Sequence, residues 1–145
     1  MTGSRKLKVL FLCTGNSCRS QMAEGWARHL KSEVIEACSA GTAPHGIDPR
    51  TAQVMAEAGV DISGHTSDHV DDFAEVDFDY VVTVCDNARE NCPVFLGETT
   101  AIHQGFEDPP RLAKEAAIEE EALRHYRRVR EEIRAFVEGL PGNLP

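Results

Sequence analysis

No apolar run in this chain approaches the length of a membrane span. Positive charge is scarce: 15 Lys and Arg stand against 24 Asp and Glu, for a net charge of −9. A nucleic-acid-binding surface needs the opposite balance. The field of the whole molecule also repels anions, so an anion site here must work through local dipoles and a few cations. Cysteines number five, at 13, 18, 38, 85 and 92, an odd count with no dense disulfide scaffold. The close Cys pairs and finger-like His spacing of structural zinc are missing, since the nearest Cys pairs enclose four and six residues. The opening stretch "MTGSRKLKVLFLC" has basic and then apolar residues. Its apolar part is short and no small-residue cleavage site follows, so it reads as a first buried strand rather than a signal peptide. Together these absences predict a cytoplasmic protein with chemically active thiols and neither nucleic acid nor membrane as partner.

What is present suits one globular domain over residues 1–145, with 41% hydrophobic and 27% charged residues. Lys8 to Leu12 read as a short buried strand and Ser17 to Leu30 as a helix, with Met22, Trp26 and Leu30 at helical spacing. Val34 to Ser39 is a second strand. Asp48-Pro49 opens a helix as N-cap and first turn, and Gly59 closes it. A short helix is expected near Val70 to Ala74, a strand over Tyr80 to Val84, and a weaker strand over Thr100 to His103. "GFEDPPR" reads as a loop in which Pro109 and Pro110 exclude helix. The last helix, about Ile118 to Glu138, carries Leu123, Tyr126, Val129, Ile133, Phe136 and Val137 on one stripe with its charges solvated. Alternating strands and helices predict an α/β fold, a three-layer open sheet of about four parallel strands with helices on both faces. Ligands of such sheets sit at the carboxyl ends of strands, where Cys13 and Cys85 both stand.

The chemistry concentrates in residues 13 to 20, "CTGNSCRS". A loop feeding a helix N-terminus offers converging backbone N–H groups to an anion. Thr14, Gly15, Asn16, Ser17, Cys18, Arg19 and Ser20 are the candidate anion-binding residues. Gly15 allows a left-handed turn and Asn16 tolerates one. Arg19 can grip two oxygens in a planar fork. The same field favours the thiolate form of Cys13, a nucleophile that Ser20 could hydrogen-bond.

The longer string "CTGNSCRSQMAEGW" resembles the low-molecular-weight tyrosine phosphatase superfamily, and more narrowly the thioredoxin-coupled arsenate reductases built on that fold. The resemblance continues through "SAG", "DISGHTSD", "VVTVC", "NCP" and "GFEDP". It implies that Cys13 attacks a tetrahedral oxyanion, that Arg19 stabilises the transition state and that Asp108 is the general acid. The two branches part at Cys85 and Cys92. A phosphatase hydrolyses its cysteine intermediate with water, whereas reducing arsenate takes two electrons, which a thiol pair ending as a disulfide supplies. The reductases place one cysteine just after the "VVT" strand and another seven residues on, as in "VVTVCDNARENCP". The phosphatases favour an aromatic residue after "DP", where this chain has Pro110 and Arg111.

The resemblance therefore implies arsenate as substrate, with phosphate or sulfate as analogues. A disulfide passes from Cys13–Cys85 to Cys85–Cys92, and reduced thioredoxin resolves it. No tightly bound cofactor is implied beyond a potassium ion at Asn16, Glu24, Ser39, Thr66 and Asp68. The chain is expected to be a monomer with weak phosphatase side activity. A tyrosine phosphatase and a non-catalytic oxyanion-binding module are the alternatives. Cys18 reads equally as a packed residue or a redox one, Cys38 has no match in the relay and reads as core, and none of the six histidines is assigned a catalytic role.

Overall fold

The structure is a computed structural model that describes residues 6–90 and 99–145. Strands β1 (Leu7–Cys13), β2 (Ile35–Gly41), β3 (Tyr80–Thr83) and β4 (Thr100–His103) form one parallel sheet in the order β2-β1-β3-β4. Val9, Leu10, Phe11 and Leu12 of β1 are all fully buried. Successive strand side chains point to opposite faces, so both faces of the central strand are covered. The chain leaves β1 for the neighbour on one side and later returns to β3 on the other. That reversal opens a crevice at the carboxyl ends of β1 and β3.

The expected strands and long helices form. Helix α1 (Arg19–Leu30) buries Met22, Ala23, Trp26 and Ala27, while Leu30 at its end is 37% exposed and falls off the expected stripe. Helix α2 (Pro49–Glu57) starts as expected. The Arg50 N–H donates to Asp48 Oδ1 at 2.9 Å, and Gly59 follows the helix at φ 83°. The short helix after it is a 3-10 turn, Val70–Phe73. Helix α3 covers Asp86–Glu90.

One expectation is corrected. Asp108 does not sit in an open loop but at the N-cap of helix α4 (Pro109–Ala113). The two prolines occupy the first turn, where the missing N–H would have no partner in any case. Leu112 N–H donates to Asp108 O at 3.1 Å and closes the turn.

Helix α5 (Glu119–Glu138) buries Leu123, Tyr126, Val129, Ile133 and Val137 and packs against α1, α2 and α4. Phe136 is half-buried and meets the Phe106 ring edge-on at 6.2 Å. The polar face of α5 is not wholly solvated. Arg127 pairs with Glu57 of α2 at 2.8 Å, and Arg50 of α2 pairs with Glu119 at 2.7 Å. Among the described residues no helix is long and apolar enough to cross a membrane.

Candidate active site

Cys13 ends β1 and Arg19 begins α1, so the residues between them must turn within one short loop. The carbonyls of Cys13, Thr14, Gly15 and Ser17 accept from the N–H groups of Thr42, Ala43, His45 and Asp48, at 2.8–3.2 Å. The Asn16 carbonyl accepts from Gln21 Nε2 at 3.0 Å. In a planar trans peptide the next N–H points opposite to the C=O. Pinning these five carbonyls therefore turns the N–H groups of residues 14–18 away from those partners, which makes the loop a cradle for oxyanion oxygens.

Asn16, not Gly15, takes the left-handed turn, with φ 47°. Its side chain is fully buried and secures that conformation. Nδ2 donates to Ser20 Oγ at 2.8 Å and to Ser39 Oγ at 3.0 Å, while Oδ1 accepts from Asp68 N–H at 2.8 Å. At Gly15 a Cβ would lie 2.2 Å from His45 Nε2, so a larger residue there would move the imidazole. Gly41 is required for space, since a Cβ would meet the Thr14 backbone carbonyl at 2.4 Å.

Cys13 is 3% exposed and its Sγ lies 2.9 Å from Ser20 Oγ. Asn16 can only donate to that oxygen, which leaves the Ser20 proton free for the sulfur. Cys18 faces inward, and burial pushes its thiol well above the ordinary range. It remains a packed thiol behind the loop. Cys38 is half-buried on β2, and burial raises its thiol as well.

Arg19 is held from outside the loop. Nη1 donates to Phe106 O at 2.9 Å, and Nη2 lies 3.6 Å from Asp108 Oδ1. The guanidinium and the expected general acid thus share one wall. Cys85 stands just past β3 and is 5% exposed. Its Sγ accepts from Ala88 N–H at 3.4 Å, as the N-cap of α3, and lies 3.3 Å from Thr14 Oγ1. Residues 72 positions apart in sequence therefore meet across Thr14. Two adjoining cavities open here. One of about 380 Å³ is lined by Cys13 and His45, the other of about 550 Å³ by Cys85 and Arg111, and Thr14, Arg19 and Asp108 line both. Cys92 lies outside the described residues.

Sequence reasoning missed His45 in the first cavity and His103 beside the second. His103 Nδ1 lies 2.8 Å from Thr83 Oγ1, and Nε2 lies 3.2 Å from Asp86 Oδ1, next to Cys85. No spacing rule in the sequence brings residues 45 or 103 to these cysteines.

The five oxygen-bearing residues expected to hold a cation are joined behind the loop. Ser39 Oγ bonds Asn16 and donates to Glu24 Oε1 at 2.6 Å, and Thr66 Oγ1 donates to Asp68 Oδ2 at 2.7 Å. Glu24 is 6% exposed and is paired with Arg28 at 2.7 Å. The Glu24 and Asp68 carboxylates with the hydroxyl and amide oxygens make an all-oxygen donor set of the kind a hard cation takes. Burial holds the nearby His65 imidazole below its usual value, against the opposing pull of Glu24.

Arsenate reductase 1 of Staphylococcus saprophyticus is 43% identical over 133 residues, covering 92% of this chain and 95% of that protein. A solved arsenate reductase in the oxidized state superposes with a TM-score of 0.78 at 32% identity, covering 95% of this chain and 98% of that one. Another, in the phosphate binding state, gives 0.72 at 34% identity, covering 96% and 99%. The model of the family described as low molecular weight phosphotyrosine protein phosphatase matches residues 8–144. That match takes in the oxyanion cradle, the Asp108 turn and the sheet from Lys8 onward, and the chain belongs to the low molecular weight phosphotyrosine protein phosphatase family.

Proposed function

We propose that this protein is an arsenate reductase rather than a phosphatase. The observation that carries the reading is the placement of Cys85. A second buried thiol stands against Thr14 of the oxyanion loop and lines a cavity that shares Thr14, Arg19 and Asp108 with the cavity of Cys13. Hydrolysing a phosphoester has no use for that thiol. Reducing arsenic does, because the second sulfur takes the place of water. The relatives named arsenate reductase support the same reading.

The chemistry runs as follows. The loop N–H groups and Arg19 hold the oxyanion, and the Cys13 thiolate attacks arsenic. An arsenate hydroxyl takes a proton from Asp108 and leaves as water. Cys85 then attacks Cys13 Sγ. A sulfur–sulfur bond forms, the sulfur–arsenic bond breaks, and its electron pair stays on arsenic, which leaves as arsenite. Thiol exchange by Cys92 frees Cys13, and the two thiols of reduced thioredoxin take up the resulting Cys85–Cys92 disulfide and supply both electrons. The relay needs a reducing compartment, the cytoplasm, and a single copy of the chain carries every group in it. Weak phosphatase activity follows from the same cradle when water attacks a phosphocysteine.

A potassium ion held by Asn16, Glu24, Ser39, Thr66 and Asp68 would add a fixed positive charge behind the loop. Thermal unfolding should then occur higher in potassium chloride than in sodium chloride at equal ionic strength. Equal midpoints would remove the ion.

The reading is tested by arsenate-dependent NADPH oxidation in the presence of thioredoxin and thioredoxin reductase, run beside hydrolysis of p-nitrophenyl phosphate. Sustained arsenate turnover with weak hydrolysis is expected. Efficient hydrolysis without arsenate turnover would make the protein a phosphatase, and neither activity would leave an oxyanion-binding module.

A further inference from the structure

The cavity over Cys13 has a floor, the loop of residues 13–19, and a rim of only three described residues from elsewhere: Asp108, Pro110 and His45. Asp108 has its place in proton transfer, and Pro110 has no donor. His45 stands unexplained. Its backbone is fixed at two points, by its own N–H on Gly15 O at 3.1 Å and by Gly46 N–H on Ser67 Oγ at 3.1 Å. The residue is exposed, and its ring lies against Gly15. The three atoms nearest a hypothetical Gly15 Cβ are Nε2 at 2.2 Å, Cδ2 at 2.7 Å and Cε1 at 3.0 Å, so the imidazole tip rather than its face is directed at the loop. Any larger residue at position 15 would displace it.

From this we infer that His45 is a substrate-binding residue, whose Nε2–H donates to an oxygen of the bound oxyanion from the rim of the cradle. The inference rests on the reading of the cavity as an arsenate site and adds a donor to it. The loop N–H groups and Arg19 reach the anion from the floor and one wall, and a tetrahedral oxyanion still presents an oxygen toward the mouth. The imidazole tip beside Gly15 stands at that mouth. Nε2 carries a proton in imidazolium and in one of the two neutral tautomers, so the donor does not depend on the ring being charged. Among the described residues the imidazole has no hydrogen-bond partner, which leaves this nitrogen free for a ligand. Glycine at position 15, whose φ is not left-handed, leaves the imidazole tip room to stand there.

The test separates this donor from the reaction. Binding of inorganic phosphate is measured by calorimetry on reduced wild type, His45→Ala and His45→Gln, with thermal unfolding to confirm that each folds. Arsenate KM and kcat are then compared for the same three proteins. A lost hydrogen bond to a charged ligand weakens binding by about tenfold or more. His45→Ala should therefore weaken phosphate binding and raise the arsenate KM by about tenfold, with kcat changed much less, and Gln, which keeps an N–H donor, should recover most of the loss. Phosphate affinity within twofold of wild type in His45→Ala overturns the inference, as does a Gln variant no better than Ala. Failure of wild type to turn over arsenate would instead count against the reductase reading, because the phosphate measurement does not depend on it.

Discussion

At the scale of single residues, the site depends on side chains that each have a small number of fixed partners. Asn16 adopts a backbone conformation that is costly for a residue with a Cβ, and three hydrogen bonds to its buried amide offset that cost. Cys13 has Ser20 beside it and Arg19 has Phe106 and Asp108. Cys13→Ser should abolish arsenate turnover and keep the fold, because a serine hydroxyl is a poor nucleophile and cannot enter a disulfide. Retained turnover in that variant would remove Cys13 from the role of nucleophile. Asp108→Asn should lower arsenate turnover by about 10²–10⁴-fold while phosphate binding survives, as expected for loss of a general acid. Weakened phosphate binding instead would assign Asp108 to holding Arg19. Cys13 and Arg19 were legible in the sequence by their spacing around a glycine loop, whereas Asp108 as general acid was implied only by the family resemblance, since alone it reads as a turn residue before Pro109. The sequence offered Gly15 for a left-handed turn that Asn16 takes instead, and the close approach of His45 to Gly15 was not legible because His45 comes from a separate loop.

At the scale of elements, strands and long helices follow the sequence closely because their apolar periods are clear. The short helix expected near Val70 to Ala74 forms too, as the 3-10 turn Val70–Phe73, but α4 was not expected. Pro109 and Pro110 look like helix breakers to any rule that ignores position, yet they form the first turn of α4 and thereby place Asp108 at its N-cap. Helix α3 is five residues long, far below the roughly 12–15 needed for even marginal stability alone. It is tied down by the sulfur of Cys85, which accepts the Ala88 N–H, and by His103 against Asp86. Drawing that sulfur into a disulfide with Cys13 or Cys92 pulls the cap away from its donor. Amide exchange over residues 86–90 should therefore quicken on oxidation of the wild-type protein. Identical exchange in the reduced and oxidised proteins would show that α3 stays intact through the relay.

At the scale of the whole molecule, the fold lets an acidic chain bind an anion. A net charge of −9 disfavours arsenate everywhere except where backbone N–H groups and Arg19 converge at the carboxyl ends of β1 and β3. The same strand order brings Cys85 beside the loop, and neither thiol reaches the other's neighbourhood by local sequence. The alternation of elements made the sheet legible, but how closely the two cavities adjoin emerges only from packing. The central claim is that arsenic is reduced by attack of a second thiol on the first. Cys92→Ser, fully reduced and mixed with arsenate without any external reductant, tests it most directly. The account predicts release of about one arsenite per protein, from the two electrons that one disulfide supplies, followed by a stall. The stalled protein should carry a Cys13–Cys85 disulfide, identified by mass spectrometry of non-reduced peptides. Arsenite release without that disulfide, or sustained thioredoxin-dependent turnover by this variant, would contradict the relay.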